Sequence, residues 1–384
     1  MFSSEIIGKF KAHVTPFYFY DIELLKKTLE SVQKAASPYH FMVHYALKAN
    51  SNPTLLKLIC EYGLGADCVS GNEVARALET GFTNDHVVFA GVGKSDEEIK
   101  YALSQSIFSL NCESIQEIQV INGIAKSLNK IANIALRINP NVNANTHKHI
   151  TTGLEENKFG INLWELDQVI NVIKPLQNIN LIGLHFHIGS QITDLSSFKN
   201  LCIRVNEIQQ WAIDKQVSIK HINMGGGLGI NYNEPDQFPI PDFENYFTLF
   251  GEFLELQPNQ TVHFELGRSI IAQCGNLISK VLYIKNGSST DFVILDAGMT
   301  DLLRPALYQA YHKIENLNST KGKKKYDIVG PVCESTDCFG KAITMPETKR
   351  GDLLAIRSAG AYGEAMSFTY NLRKIPSSIF SNNL

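Results

Sequence analysis

In residues 41–50, FMVHYALKAN, a mostly apolar run is followed by a lysine, and this combination guides the interpretation of the whole chain. Val43, Tyr45 and Leu47 recur at every second position, which predicts a β-strand. Lys48 then stands at the end of that strand, although a buried ammonium group without a partner is costly. The stretch therefore predicts either that Lys48 reaches the surface or that a bound group awaits it at the strand end.

Similar apolar runs recur along the first 270 residues and alternate with amphipathic, helix-like segments. Several of these segments open on a residue that we expect to cap a helix, namely Asn72, Ser95 and Ser114. Strands that alternate with helices predict βαβ units and a parallel sheet, and eight such units close a barrel. The predicted fold is therefore α/β, a (β/α)8 TIM-like barrel. Its other strands are expected at 65–70, 86–91, 106–112, 131–139, 181–189, 219–224 and 260–266.

The pattern changes after residue 270, where strand-like runs follow one another with little helix between them. This predicts a C-terminal all-β domain, which the strand-like residues 15–21 are expected to join. The predicted domains are a barrel at 22–269 and a β-sandwich or barrel-like domain at 270–384, completed by N-terminal residues 1–21. The expected strands of the second domain lie in 276–287, 290–299, 326–335 and 351–363.

The composition is that of an ordinary globular protein. The 384 residues carry a formal net charge of -3, and the basic run KGKKK (321–325) is expected to be a solvated loop, so no nucleic-acid partner is predicted. No apolar run approaches a membrane span, and the first residues lack the pattern of a signal peptide. The seven cysteines contain no CxxC pair, which predicts a reducing, cytoplasmic location and no bound metal.

Reactive side chains cluster at the predicted carboxyl ends of the barrel strands, which is where such barrels place their active sites. Each has an ordinary alternative: Lys48 could lie on the rim, His187 could be a core histidine, and the glycine loop could be a tight turn. The glycine loop could equally offer backbone N–H groups to a phosphate. The cluster comprises Lys48, Asp67, Arg137, His187, Ser190, GGGLG (225–229) and ELGR (265–268).

Two other interpretations of single motifs fail. The run GVGKS (91–95) is similar to the end of a nucleotide-binding Walker loop, but the first glycine of that loop would fall at Val88. The run HFH (185–187) places two imidazoles on one side of a strand, as in metal-dependent hydrolases, but such a site needs more ligands than Asp67. A lysine, a glycine loop, a histidine and a carboxylate together suit pyridoxal phosphate (PLP), with Lys48 forming the Schiff base.

Across essentially its whole length the chain resembles the fold-type III PLP-dependent decarboxylases. The resemblance rests on motifs that occur in the family's order. They are YALKAN (45–50), GADCVSGNE (65–73), HFHIGSQ (185–191), GGGLGI (225–230), ELGRS (265–269), DAGMTDLLRPALYQAYH (296–312), GPVCESTD (330–337) and SAGAYG (358–363). In the family's pattern a proline usually stands at position 266, where this chain has Leu266.

The resemblance implies roles for individual residues. Lys48 would carry the cofactor, His187 would stack on its ring, Glu265 would face the pyridine nitrogen, and Cys333 would donate the proton. Further cofactor contacts would come from Asp67, Ser190, Gly226, Gly227, Gly267, Arg268 and Tyr362, with Ser190, Gly227 and the ELGR turn around the phosphate. Substrate would be bound by Arg268, Arg304, Tyr308, Glu334 and Tyr362.

The resemblance also implies an activity and an assembly. The expected reaction is the decarboxylation of meso-2,6-diaminopimelate to L-lysine and CO2, the last step of lysine biosynthesis. Arg304 and Glu334 would recognise the charges of the distal amino-acid centre. The alternative is a related decarboxylase acting on ornithine, arginine or another diamino acid. A non-catalytic PLP carrier would lack the β domain. The expected assembly is a homodimer whose active sites are shared between subunits, and 139–161 is expected to form a lid.

Overall fold

Eight parallel strands close into a barrel, and eight more strands form a second sheet. The computed structural model describes residues 2–142 and 158–384. In chain order the strands are β1 (Phe17–Tyr20), β2 (Met42–Ala46), β3 (Gly65–Cys68), β4 (Val87–Phe89), β5 (Ser109–Cys112), β6 (Ala132–Arg137), β7 (Ile179–His185), β8 (His221–Asn223), β9 (Thr261–Leu266), β10 (Gly275–Lys285), β11 (Phe292–Leu295), β12 (Ile314–Asn316), β13 (Lys324–Val329), β14 (Cys338–Met345), β15 (Leu353–Ile356) and β16 (Ser377–Phe380). The α-helices are α1 (Ser4–Phe10), α2 (Ile22–Ala36), α3 (Pro53–Glu61), α4 (Gly71–Glu79), α5 (Asp96–Gln105), α6 (Ile115–Ser127), α7 (Leu166–Ile173), α8 (Ser196–Asp214), α9 (Phe243–Phe253), α10 (Arg268–Ile271) and α11 (Arg304–Tyr308).

The barrel consists of β2 to β9 in sequence order, and β9 pairs with β2 to close it. Every pair in the ring is parallel. A helix follows each barrel strand, from α3 after β2 to α10 after β9. Each of the eight predicted runs overlaps one barrel strand, so the predicted (β/α)8 barrel is confirmed.

The second sheet runs in the order β12-β15-β10-β11-β13-β14, and β1 pairs antiparallel with β10 and parallel with β16. β1 lies within the strand-like residues 15–21, so this part of the N-terminal segment is a strand of the second sheet. Three of its strands, β12, β14 and β16, were not predicted. Phe10 of α1 and the β1 side chains Phe17 and Phe19 are buried in its core against Ile278 and Leu353.

The chain divides into two compact units. One contains Leu29–Gly229 and Asp242–Gly267, and is called here the barrel unit; the other contains Met1–Thr28, Ile230–Pro241 and Arg268–Leu384, and is called the second unit. The domain ranges given in the sequence analysis stay predictions. Most of the expected lid, 139–161, lies outside the described residues. None of the helices within 2–142 and 158–384 has the length and apolar character needed to span a bilayer.

Serine side chains begin three of the barrel helices. Ser95 and Ser114 accept hydrogen bonds from the N–H groups three residues later, as predicted. The prediction for Asn72 is wrong, because Ser70 is the residue with extended backbone that caps α4 by accepting from the Glu73 N–H. Asn72 already lies inside the helix. A two-residue displacement of this kind is expected where several capping residues stand close together.

A chain of hydrogen-bonded imidazoles joins three strands of the barrel. His44 Nε2 lies 2.9 Å from His263 Nδ1, His263 Nε2 lies 2.9 Å from Thr261 Oγ1, and His221 Nδ1 lies 2.7 Å from the same hydroxyl. His44 Nδ1 faces the His86 carbonyl at 3.2 Å and therefore carries a proton. The remaining donors then follow in order: His263 Nδ1–H donates to His44 Nε2, the Thr261 hydroxyl donates to His263 Nε2, and His221 Nδ1–H donates to Thr261 Oγ1. Neutral imidazoles thus satisfy the whole chain, and an added proton would break a bond in it.

The barrel makes room for this chain and keeps it neutral. Gly65 pairs with His44 across the sheet, and a Cβ at that position would lie 2.3 Å from the His44 ring. Burial lowers the pKa of His44 from its usual 6.5 to about 4, although Glu265 and the His86 carbonyl oppose the shift. Burial and the neighbouring His44 and His221 likewise hold the pKa of His263 well below its usual range.

We expect acid to destabilise the barrel through His44. The pKa of His44 is lower in the folded state than in the unfolded state. Its contribution to the free energy of unfolding is therefore fully present above pH 6.5 and is lost as the pH falls towards about 4. Between pH 7 and pH 5 the free energy of unfolding should fall by about 2 kcal/mol from this group alone. Urea unfolding at the two pH values measures the change. His44→Gln should reduce it, whereas His13→Gln, at an exposed histidine, should not. Equal pH dependence in all three proteins would contradict this assignment.

Candidate active site

Lys48 lies just beyond strand β2, on a single 3-10 turn formed by Leu47–Ala49. The predicted strand, residues 41–47, therefore ends one residue too late, because β2 stops at Ala46. The turn leaves the Lys48 side chain 40% exposed, with Nζ 3.7 Å from Oδ2 of Asp67. An accessible ammonium group beside a carboxylate does not carry the cost of burial, and once it has lost a proton its amine is suited to reacting with a ligand.

Asp67, on β3, is the partner of Lys48 and is almost completely buried. Neither of its carboxylate oxygens has a hydrogen-bond partner among the described residues. Burial raises the pKa of Asp67 well above its usual range, Glu265 raises it further, and Lys48 offsets only part of the shift. A buried carboxyl group without hydrogen bonds is rare in a folded protein, and it marks a place where a bound ligand could supply the missing partner.

Glu265, on β9, is equally buried but is fully hydrogen-bonded. Its Oε2 lies 2.9 Å from His185 Nε2, and its Oε1 accepts from the amides of Asn223 at 2.7 Å and Asn111 at 3.3 Å. Burial alone would raise the pKa of Glu265, but His185 and Lys48 outweigh it, and the pKa is lowered. Glu265 is therefore an ionised carboxylate inside the barrel. No local pattern in the sequence marks His185, Asn223 or Asn111 as its partners.

The two histidines of the HFH motif have different environments. His185 ends β7 and is committed to Glu265, whereas His187 lies beyond the strand and is partly exposed. The Gly226 N–H donates to His187 Nδ1 at 3.3 Å, which places the proton of a neutral ring on Nε2. Burial and the charges of Lys48 and Arg137 hold the pKa of His187 well below its usual range. His187 is thus a neutral imidazole.

The glycine loop, residues 225–229, packs against two other segments of the barrel. A Cβ at Gly226 would lie 1.9 Å from the Glu265 carbonyl oxygen, and one at Gly227 would lie 2.6 Å from that of Gly189. Gly227 also has a positive φ of 110°, and its carbonyl accepts from the Ile192 N–H at 2.9 Å. Glycine is therefore required at positions 226 and 227 because the neighbouring backbone leaves no room for a side chain. Within the described chain the Gly227 N–H donates to no other residue, so it is available to a ligand.

Two basic residues singled out in the sequence belong to buried ion pairs. Arg137, from the predicted cluster at the strand ends, donates to Glu113 at 2.7 Å. Lys94, from the GVGKS motif, lies 2.7 Å from Glu117 and also donates to the carbonyls of Gly91 and Asn111. Both cations hold neighbouring loops together, which explains their positions without a bound nucleotide.

The second unit holds a pair of buried arginines on one tyrosine. Arg268 Nη1 and Arg304 Nη1 donate to the hydroxyl oxygen of Tyr232 at 2.7 Å and 3.0 Å. The Arg268 guanidinium also lies 5.0 Å from the ring centre of Tyr362, whose φ is positive at 57°. Tyr308 is half-buried at the end of α11, the helix that Arg304 begins. The structure thus brings predicted substrate residues together around Tyr232, which sequence analysis did not identify.

Cys333 and Glu334 are both exposed on the second unit. Glu334 accepts a hydrogen bond from the Tyr370 hydroxyl at 2.8 Å, and the Cys333 N–H donates to the Asn371 side chain at 3.4 Å. Tyr370 and Asn371 were also missed by the sequence analysis. A solvent-exposed cysteine beside a carboxylate is accessible to a second molecule, in contrast to the buried thiols of Cys112 and Cys274.

Comparisons with known proteins give consistent results. Residues 23–272 match the family described as pyridoxal-dependent decarboxylase, pyridoxal binding domain. The chain is 54% identical to a diaminopimelate decarboxylase of Bacteroides thetaiotaomicron over 98% of both chains. It is 41% identical to one of Helicobacter pylori, over 95% of this chain and 89% of that one. The crystal structure of diaminopimelate decarboxylase from Helicobacter pylori complexed with L-lysine superposes with a TM-score of 0.91, covering 97% of this chain and 94% of that chain.

We expect Asp67→Asn to leave the ligand-free protein as stable as the wild type or more stable above neutral pH. The substitution removes a buried charge that makes no hydrogen bond to any described residue, so we expect a gain of up to about 1 kcal/mol. Glu113→Gln is the matched control, because it removes a buried carboxylate paired with Arg137 and should cost about 3 kcal/mol. Thermal unfolding measures both. Equal destabilisation by the two substitutions would mean that Asp67 stabilises the fold.

Proposed function

Because the chain belongs to the pyridoxal-dependent decarboxylases, and within them to the diaminopimelate decarboxylases, we propose that it converts meso-2,6-diaminopimelate to L-lysine and CO2. The observation that carries this proposal is the identity of 54% with a named relative over 98% of both chains. In this role the protein is a carboxy-lyase that catalyses the last step of lysine biosynthesis.

The residues of the barrel unit suit PLP as the cofactor. Lys48 offers an accessible amine for its aldehyde, and Asp67 has two buried oxygens that no residue of the described ranges hydrogen-bonds. The unused N–H of Gly227 suits a phosphate oxygen, and Ser190 and Gly226 lie in the same two packed segments. The neutral ring of His187 suits stacking on the pyridine. Gly267 and Arg268 complete the proposed phosphate contacts, and Tyr362 is proposed as a further contact to the cofactor.

Glu265 has the charge that the proposed chemistry requires. When bound, the cofactor supplies an electron sink for the electron pair left at Cα after CO2 departs. A carboxylate that stays ionised can keep the ring nitrogen of such a cofactor protonated. Donors on His185 and Asn223 hold Glu265 in that state, which supports its role opposite the ring nitrogen.

The second unit supplies positive charge suited to a substrate with a distal carboxylate. Diaminopimelate has an amino-acid centre at each end, so its recognition requires cations for the carboxylate that is kept. Arg268 and Arg304 provide two buried guanidinium groups, and Tyr308 lies at the end of the helix that Arg304 begins. The alternative substrates ornithine and arginine have no distal carboxylate, and a site for them would gain nothing from Arg304.

We further propose that the protein is a homodimer in which Cys333 and Glu334 act in the partner's active site. Their exposure on the single chain supports a role at an interface. Cys333 would hold the proton delivered to Cα, and Glu334 would bind the distal ammonium group of the substrate. All seven cysteines are free thiols, which supports the cytoplasmic location expected from the sequence.

A substrate screen tests the proposed reaction. We expect CO2 release from meso-diaminopimelate with kcat/KM at least about 100-fold above that for ornithine or arginine, because only the former pairs a carboxylate with the buried arginines. The measurement is carbon dioxide evolution coupled to amino-acid analysis of the product. Turnover of ornithine with comparable kcat/KM would overturn the substrate assignment, and the alternative diamino-acid decarboxylase would then be preferred.

Mixing two inactive variants tests the shared site. Lys48→Ala and Cys333→Ala should each be nearly inactive, because one loses the cofactor amine and the other loses the proton donor. After dissociation and reassociation about half of the dimers are mixed, and each has one intact site of two, so activity should approach about a quarter of the wild type. If mixed dimers form and no activity returns, Cys333 acts within its own chain.

A further inference from the structure

Tyr232 is the centre of the arginine pair in the second unit. It lies in the segment Ile230–Pro241, and its side chain is nearly buried. Its hydroxyl oxygen accepts from Nη1 of Arg268 at 2.7 Å and from Nη1 of Arg304 at 3.0 Å. Both guanidinium groups also lie near the face of the ring, at 6.0 Å and 5.2 Å from its centre. One phenol therefore fixes the positions of two cations.

The hydrogen-bonding capacity of the phenol oxygen is almost fully used. Its two lone pairs accept from the two arginines, and in the described part of the chain its own proton has no acceptor. Burial alone would raise the pKa of Tyr232, but Arg268 and Arg304 outweigh it and lower the pKa. The partial negative charge of the accepting phenol oxygen offsets part of the repulsion between the two guanidinium groups, which are held close together away from water.

His312 fixes Arg304 from a second direction. Nδ1 of His312 lies 2.8 Å from the Arg357 carbonyl and therefore carries the proton, so Nε2 accepts from Arg304 Nη1 at 2.8 Å. The two protons of that Nη1 go to Tyr232 and His312. The remaining edge of Arg304, formed by Nε and Nη2, has no hydrogen-bond partner among the described residues. This is the edge that binds a carboxylate through two parallel hydrogen bonds.

We propose that Tyr232 is a positioning residue for substrate specificity: with His312 it occupies Nη1 of Arg304 and leaves the Nε–Nη2 edge for the substrate's distal carboxylate. This inference rests on the proposed function and adds a residue to it. Tyr232 acts through Arg304 and also holds Arg268. Losing the phenol oxygen frees Nη1, so Arg304 can rotate and the carboxylate meets a less ordered partner. Loss of the phenol oxygen should therefore weaken the binding of ligands that carry a carboxylate and leave the rate of the chemical step unchanged.

The test compares two inhibitors on the holoenzyme. L-lysine retains the distal carboxylate, whereas 1,5-diaminopentane has the same two amines and no carboxylate. For Tyr232→Phe we expect KM for diaminopimelate and the inhibition constant of L-lysine to rise about 10-fold, the loss typical of one charge-assisted hydrogen bond. The inhibition constant of 1,5-diaminopentane and kcat should change less than about two-fold.

A matched control and a second variant make the result decisive. Tyr246 is a buried tyrosine whose hydroxyl has no hydrogen-bond partner among the described residues, so Tyr246→Phe should leave all four constants unchanged. His312→Asn removes the other acceptor of Arg304 Nη1 and should raise the same two constants as Tyr232→Phe. If Tyr232→Phe does not fold, the His312 variant decides on the same criteria.

Three outcomes would overturn the inference. They are an unchanged inhibition constant for L-lysine, an equal rise for both inhibitors, and a fall in kcat at constant KM. Each of these can be observed while the wild-type enzyme still decarboxylates diaminopimelate. Failure of the proposed function is seen separately, in wild-type protein that does not turn over this substrate.

Discussion

The barrel closes around one charged carboxylate, Glu265, and the candidate site depends on its remaining charged. Its hydrogen-bond donors come from β5, β7 and β8 through Asn111, His185 and Asn223. Neither β5 nor β7 is a neighbour of β9 in the ring. The hydrogen bonds from Asn111 and His185 therefore cross the interior and exist only in the closed barrel. Each hydrogen bond to a charged group is worth about 1.5–3 kcal/mol. Together they offset the desolvation of the carboxylate, so that a charge persists in a closed core.

Two alternate residues of β9 have different charge states in the barrel interior: His263 is neutral and Glu265 is ionised. His263 and Glu265 are two positions apart and therefore point to the same side of the strand. Glu265 favours protonation of His44 and His263, yet burial dominates and both rings stay neutral. The distinction comes from hydrogen bonds: the imidazole chain is complete without an added proton, whereas Glu265 is surrounded by donors. The neutral rings of His44 and His263 thus lie next to the layer that contains the ionised carboxylate of Glu265.

The sequence predicted the barrel and the candidate residues at the strand ends because both follow from local patterns. Alternating apolar residues located all eight barrel strands, and their carboxyl ends located Lys48 and Glu265. His185 and Tyr232 were missed because their importance comes from distant partners: His185 is 80 residues from Glu265, and Tyr232 is 36 residues from Arg268. The predicted end of β2 is displaced by one residue, and the predicted cap of α4 is displaced by two. Periodicity shows that an element exists but does not fix where it stops.

Position 266 shows how the surroundings can replace a rigid residue. The family's pattern has a proline there, and the proline ring would fix one backbone angle. Leu266 instead pairs with Tyr45 in the ladder that closes the barrel, and its side chain is completely buried. The preceding backbone is held on both sides as well, because the Glu265 N–H donates to the Gly225 carbonyl at 2.8 Å and its own carbonyl packs against Gly226. The orientation of Glu265 is therefore set by the glycine loop and the sheet, and a leucine can follow it without loosening the site.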